Sequence, residues 1–262
     1  MQPPPQNFSQ YPRGPVQGSG RGPGVYFDFI SIAFQMVTRN AGVYVVGALL
    51  ALVIMYGINL PFSFLANMIS YGSPTGMRTT NPDEVLPMLL KGLPVSFILG
   101  ILPGIAMQFI TSGITLCAVE EADTGSTSIG TMFSGFKNFL PVFGTCALVQ
   151  IANTLGMLLC FFPMFIVAAM LSFAPLLTMK EGLGPGAAIQ KSFEMLKPFI
   201  LPMSGFYFVT SMLAGLGVCA CGVGMLFTLP ILYVSIGLHY REFRAPQDQG
   251  FQLPKNYEAP QG

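Results

Sequence analysis

"AAIQKSFEMLKPF", residues 187–199, carries Lys191, Glu194 and Lys197 between two strongly apolar stretches. Its apolar residues Ile189, Phe193 and Leu196 recur at i, i+4 and i+7, which places them on one face of a helix. Polar residues fill the other face, and a base closes the C-terminal end. Such a helix suits the headgroup plane of a membrane, apolar face down. Lys197 can snorkel to phosphates there, and its charge favours the negative end of the helix dipole.

The pattern occurs twice more. Ile129, Phe133, Phe136 and Lys137 precede it by 60 residues. With one inserted residue the correspondence continues at 61: Pro141 with Pro202, Gly144 with Gly205, Cys160 with Cys221, Met164 with Met225. "MKE" (179–181) meets "YRE" (240–242). A weaker copy holds Ile30, Phe34, Val37 and Arg39.

What lies between the copies is too apolar for a water-soluble core. Of 262 residues, 52% are hydrophobic and 9% charged, against about 25% charged in an ordinary soluble domain. Eleven acids and twelve bases cannot cover a core of this size, so the remaining solvent is lipid. A spanning helix needs about 20 mostly apolar residues. Such segments occur at 41–68 and 92–119, and at double length at 139–179 and 199–240. "CFFP" (160–163) and "CACGVG" (219–224) mark the turns within the double runs.

The predicted fold is all-α: a polytopic membrane helical bundle of about six transmembrane helices in three hairpins. A short amphipathic interfacial helix precedes each hairpin. The transmembrane domain covers 25–243, with repeats 26–119, 120–180 and 181–242. Residues 1–24 and 244–262, rich in Pro, Gln and Gly, are expected to be disordered cytoplasmic tails. The first lacks the charged start and apolar run of a signal peptide.

Charge predicts the orientation. On six spans, one side holds Arg13, Arg21, Arg39, Lys137, Lys180, Lys191, Lys197, Arg241, Arg244 and Lys255; the other holds Arg78 and Lys91. By the positive-inside rule both termini are cytoplasmic and the 71–91 connector is outside. The interfacial helices then meet anionic headgroups at the inner leaflet. Arg39, Lys137, Lys191 and Lys197 are the candidate lipid-headgroup contacts.

Little in the chain points to catalysis. His239 is the single histidine and reads as an interfacial residue at the end of the last span. Zinc would need three or four convergent ligands. Cys117, Cys146, Cys160, Cys219 and Cys221 fall within or beside apolar segments, as small packing residues rather than a disulfide framework. Glu120, Glu121 and Asp123 read as acids just before a helix start, favoured by its dipole. Glu181 and Glu242 occupy the corresponding exits of later units. No nucleophile elbow, phosphate loop or metalloprotease helix is present, and no basic run suits nucleic acid. The expectation is no enzyme, no cofactor and no metal.

Within the spans, Gln150 and Asn153 share a face, and Gln108, Ser112 and Thr115 lie close together. They read as interhelical hydrogen bonding, or as an intramembrane polar path through Gln108, Gln150 and Asn153. The lack of an intramembrane acid argues against a proton-coupled pump.

The quoted stretch, followed by "GLGVCACGVGMLFTLPILYVSIGLHYREF" (215–243), resembles a bacterial family: the membrane domain attached to some glycerophosphoryl diester phosphodiesterases. The matching signals are Ala188-x-x-x-Ser192 with an aromatic residue, a Gly-rich turn, and a Pro-containing last span ending in Tyr-Arg. The resemblance covers 26–243 and implies a membrane fold in the bacterial inner membrane. It does not imply hydrolysis, because the family's activity belongs to a separate soluble domain. The expected function is a non-enzymatic integral membrane protein, a scaffold associated with membrane lipids or with a protein partner. The alternative is a small transporter or channel for a neutral or amphipathic solute.

Overall fold

Apolar length and proline placement together explain the helices. The computed structural model describes residues 23–73, 82–159, 161–219 and 224–248; Arg13, Arg21, Arg78, Lys255 and most of both expected tails lie outside them. Eleven α-helices follow in order: α1 (Phe29–Arg39), α2 (Ala41–Gly57), α3 (Asn59–Tyr71), α4 (Pro82–Thr124), α5 (Ile129–Met132), α6 (Phe139–Leu159), α7 (Phe161–Met170), α8 (Ala174–Glu181), α9 (Pro185–Leu196), α10 (Ile200–Cys219) and α11 (Met225–Asp248). Two 3-10 turns, Ser134–Asn138 and Lys197–Phe199, lead into α6 and α10. No strand occurs among the described residues.

Among the described residues, five stretches are long and apolar enough to cross a bilayer: Ala41–Tyr71, Pro94–Thr124, Ile129–Leu159, Phe162–Glu181 and Pro185–Gly217. α11 is not among them. Its apolar run stops at Tyr240, and Arg241, Glu242 and Arg244 follow within the same helix. It packs instead as a core helix against α1, α2, α4 and α10, with Leu232, Val234, Ile236, Leu238 and Tyr240 buried. A Cβ added at Gly237 would lie 2.8 Å from the Thr115 carbonyl of α4, so a side chain there would push the two helices apart.

Two buried clusters share this centre. One joins α1, α2, α4 and α11 through Val37, Tyr44, Ile114 and Val234. The other joins α8, α9, α10 and α11 through Leu177, Leu196, Met203 and Ile236. Gly72 and Gly182 end α3 and α8 in the left-handed conformation (φ 63° and 67°), which glycine adopts without a Cβ clash.

The short helices differ in detail from the periodicity. The expected helix at 129–138 is a one-turn α5 followed by a 3-10 turn; Gly130 and Gly135 weaken a longer α-helix there. In α9 the face that docks on the bundle is Ala188, Ser192, Met195 and Leu196, so Leu196 of the expected apolar face is buried while Phe193 stays outward. Ser192 Oγ donates to the Met170 carbonyl at 2.7 Å. The Ala-x-x-x-Ser pattern is therefore a close-packing face.

α4 is the outlier in length. At 43 residues it extends about 65 Å, and Pro87, Pro94 and Pro103 lie inside it. α6 and α10 have 21 and 20 residues, close to the thickness of a hydrocarbon core.

Candidate functional site

The acids expected before a helix start are instead in the last turn of α4, because α4 runs on to Thr124. Carboxylates at that end oppose the helix dipole, so they need bases from elsewhere. Arg39, the last residue of α1, places Nη2 2.6 Å from Glu121 Oε1. The Tyr44 hydroxyl of α2 donates to Glu121 Oε2 at 2.7 Å. The Glu121 side chain is fully buried. Asp123 accepts from Lys180 Nζ of α8 and from Arg241 Nε of α11, both at 3.1 Å. Glu181 accepts from Lys191 Nζ of α9 at 2.6 Å and from the Tyr240 hydroxyl at 3.4 Å. These pairs form an ionic belt across one end of the bundle, joining α1, α2, α4, α8, α9 and α11.

The belt separates the four candidate headgroup bases. Arg39 and Lys191 are held by acids. Lys137 and Lys197 are exposed, and neither has an ion pair among the described residues. Each sits in a 3-10 turn at a boundary with exposed apolar side chains. Around Lys137, Phe136 packs on Phe109 at 4.7 Å and on Phe139 at 6.0 Å, and Leu140 is 78% exposed. Beside Lys197 are outward-facing Phe193 and Leu201, the latter 81% exposed.

His239 is buried, not interfacial as the sequence suggested. Its Nδ1–H donates to the Ser235 carbonyl at 2.8 Å, and Nε2 accepts the Tyr26 backbone N–H at 3.0 Å. Both nitrogens are used, which fixes the neutral Nδ1–H tautomer. The ring lies between Phe29 and Phe206, at 4.7 and 4.4 Å. It pins the segment before α1 to α11.

Within the bundle, Gln108, Ser112 and Thr115 of α4 face Asn153 of α6, Tyr207 of α10 and Tyr233 of α11 around a cavity of about 20 Å³. That volume suits about one water molecule. Asn153 Oδ1 is buried without a hydrogen-bond partner. Ser112 and Thr115 donate to carbonyls one turn back, at 2.6 and 2.9 Å. Gln150 stands apart from this cavity: its amide lies where a Cβ on Gly104 would sit. Thus two of the three candidate path residues converge and the third fills a helix crossing. Tyr207 and Tyr233 were missed because, in sequence, they read as apolar residues of spans.

Among the described residues, no group of three His, Cys, Asp or Glu side chains is placed to hold a metal ion. Cys117 and Cys146 are buried free thiols in the core. Compared with known protein families, characterised proteins and solved structures, the chain matches none of them.

Proposed function

We propose that this chain is a non-enzymatic integral membrane protein that engages anionic lipid headgroups at the inner leaflet, as a lipid-associated or partner-binding scaffold. The observation that carries this reading is the division of the bases. Arg39, Lys180, Lys191 and Arg241 neutralise the acids of the belt, while Lys137 and Lys197 stay exposed beside outward-facing apolar side chains. The two lysines are 60 residues apart, at matching places before α6 and α10. A cation at the rim of an apolar surface suits a lipid phosphate.

In this reading α11 is the sixth membrane helix, although protein rather than lipid covers most of it. Three units follow: α1 before α2–α3 and α4, α5 before α6 and α7–α8, and α9 before α10 and α11. The excess of bases in the sequence segments on the belt side supports a cytoplasmic location for both termini. The resemblance to the phosphodiesterase-linked membrane domains implies a membrane fold without hydrolysis.

Native mass spectrometry of protein released gently from bacterial membranes tests the reading. Co-purified anionic lipid should be present on the wild type and fall several-fold in the Lys137→Gln/Lys197→Gln double variant. Equal lipid on both proteins, or none on either, would contradict it.

A second reading, a small transporter or channel, draws on the cavity at Gln108 and Asn153. A space for about one water would have to widen to pass a solute. Asn153→Leu should then abolish flux into liposomes; under the scaffold reading neither protein carries solute.

A further inference from the structure

The first hairpin is too long for the bilayer. Ala41–Tyr71 is an apolar stretch of 31 residues, about 46 Å as helix. Fitting that into a hydrocarbon core of about 30 Å by tilt alone would take roughly 50°, beyond the usual range of about 0–40°. The Tyr44–Glu121 bond fixes its level at the belt. From Ala41 and from Glu121, about 20 residues of helix consume the core, near Pro61 on one strand and Ile101 on the other. Beyond lie most of α3 and the first half of α4.

That outer part exposes apolar side chains. Leu60 is 62%, Phe64 54%, Ile69 60% and Leu90 63% exposed. On α2 and α3 the exposed residues Leu49, Val53, Tyr56, Leu60 and Phe64 form one stripe at helical spacing, unbroken from the membrane-spanning part outward. No Asp, Glu, Lys, Arg or His occurs between Ala41 and Ser73.

Both strands are also interrupted at one level. A Cβ on Gly47 would collide with Ile114, and one on Gly92 with Tyr71, which sets the antiparallel register. In that register Gly57–Ile58, the break between α2 and α3, comes level with Pro103–Gly104 of α4. Pro61 has no N–H to offer the Gly57 carbonyl, and Pro103 none for Leu99, so each strand loses a helical hydrogen bond near this level.

We propose that the outer part of the first hairpin is a lipid-docking arm, which bends at this elbow and lays its apolar stripe against the leaflet opposite the ionic belt. The occupant is the bilayer surface, because the stripe continues the lipid-facing surface of α2 and carries no charge. This goes beyond the headgroup role of Lys137 and Lys197 and rests only on membrane embedding.

The test uses the full chain, made free of native cysteines, in phosphatidylcholine–phosphatidylglycerol liposomes. Single spin labels at Phe64→Cys, Met68→Cys, which continues the stripe, and Val53→Cys report collisions with oxygen and with a water-soluble nickel chelate. Oxygen should dominate several-fold at 64 and 68, as it does at the membrane-level control 53. Nickel dominance at 64 and 68 overturns the proposal. So does protection from both agents with a short label-to-label distance between copies, which assigns the face to a second chain. A Pro61→Leu/Pro103→Leu variant should shift the label at 64 several-fold toward nickel; an unchanged label overturns the elbow. Should that variant misfold, the wild-type labels still decide the arm.

Discussion

The α2–α4 region and the α6–α11 region are anchored alike at the belt and differ at the far end. At the belt, α4 ends in Glu121 and Asp123 and α8 ends in Glu181, each acid bound to bases of other helices. At the far end, α6 and α10 stop after 21 and 20 residues, while α4 has 43. Charge fixes the belt end of α4, α8 and α11, and apolar length sets how far the helices run from it. The anchors also differ in depth: Glu121 is fully buried with two donors, whereas the Glu181 side chain is 25% exposed.

That difference in depth gives the largest expected effect. Glu121→Leu strands the buried Tyr44 hydroxyl and frees Arg39, and should cost about 2–3 kcal/mol. Glu181→Leu, in the more exposed pair, should cost under about 1 kcal/mol. Denaturant unfolding in detergent micelles, followed by helical circular dichroism, measures both. Equal losses would break the proposed difference between the anchors.

The crossing of α11 on α4 ties the C-terminal helices to the N-terminal ones. Gly237→Ala would set a Cβ against the Thr115 carbonyl and should destabilise by about 1–3 kcal/mol. At Gly205 of α10 nothing lies within 4 Å of an added Cβ, so Gly205→Ala should stabilise by up to about 1 kcal/mol. The same unfolding assay should return opposite signs.

Smaller effects sharpen the account. Asn153→Leu removes an orphaned acceptor and fills the cavity, and should be neutral or stabilising by about 1 kcal/mol. A loss above about 2 kcal/mol would instead indicate a bound water network there. Lys137→Gln and Lys197→Gln should each change stability by less than about 0.5 kcal/mol, even where lipid retention falls.

Much of this fold is legible as text. Apolar length predicts the five stretches long enough to cross a bilayer, and the quoted stretch holds most of α9 and all of its 3-10 turn. What was not legible depends on distant partners. The "EEAD" segment looks like a loop until Arg39, 82 residues away from Glu121, supplies the counter-charge that lets it stay helical. His239 looks interfacial until Tyr26, 213 residues away, brings its backbone N–H. The 199–240 run reads as two spans, but its second half, α11, falls short of the apolar length of the five candidate spans and is largely covered by protein. In the candidate site, Lys137 and Lys197 follow from the repeat, whereas the pairing of Arg39 and Lys191 with acids required the helices to be assembled.

Sidedness tests the account most directly. In a cysteine-free background, Asp83→Cys near the start of α4 and Ser126→Cys in the loop after it place exposed thiols at opposite ends of the bundle. An impermeant thiol reagent applied to intact cells expressing the chain should label position 83 at once and position 126 only after permeabilisation. Labelling of 126 from outside, or of both positions equally, would contradict a bundle whose belt faces the cytoplasm.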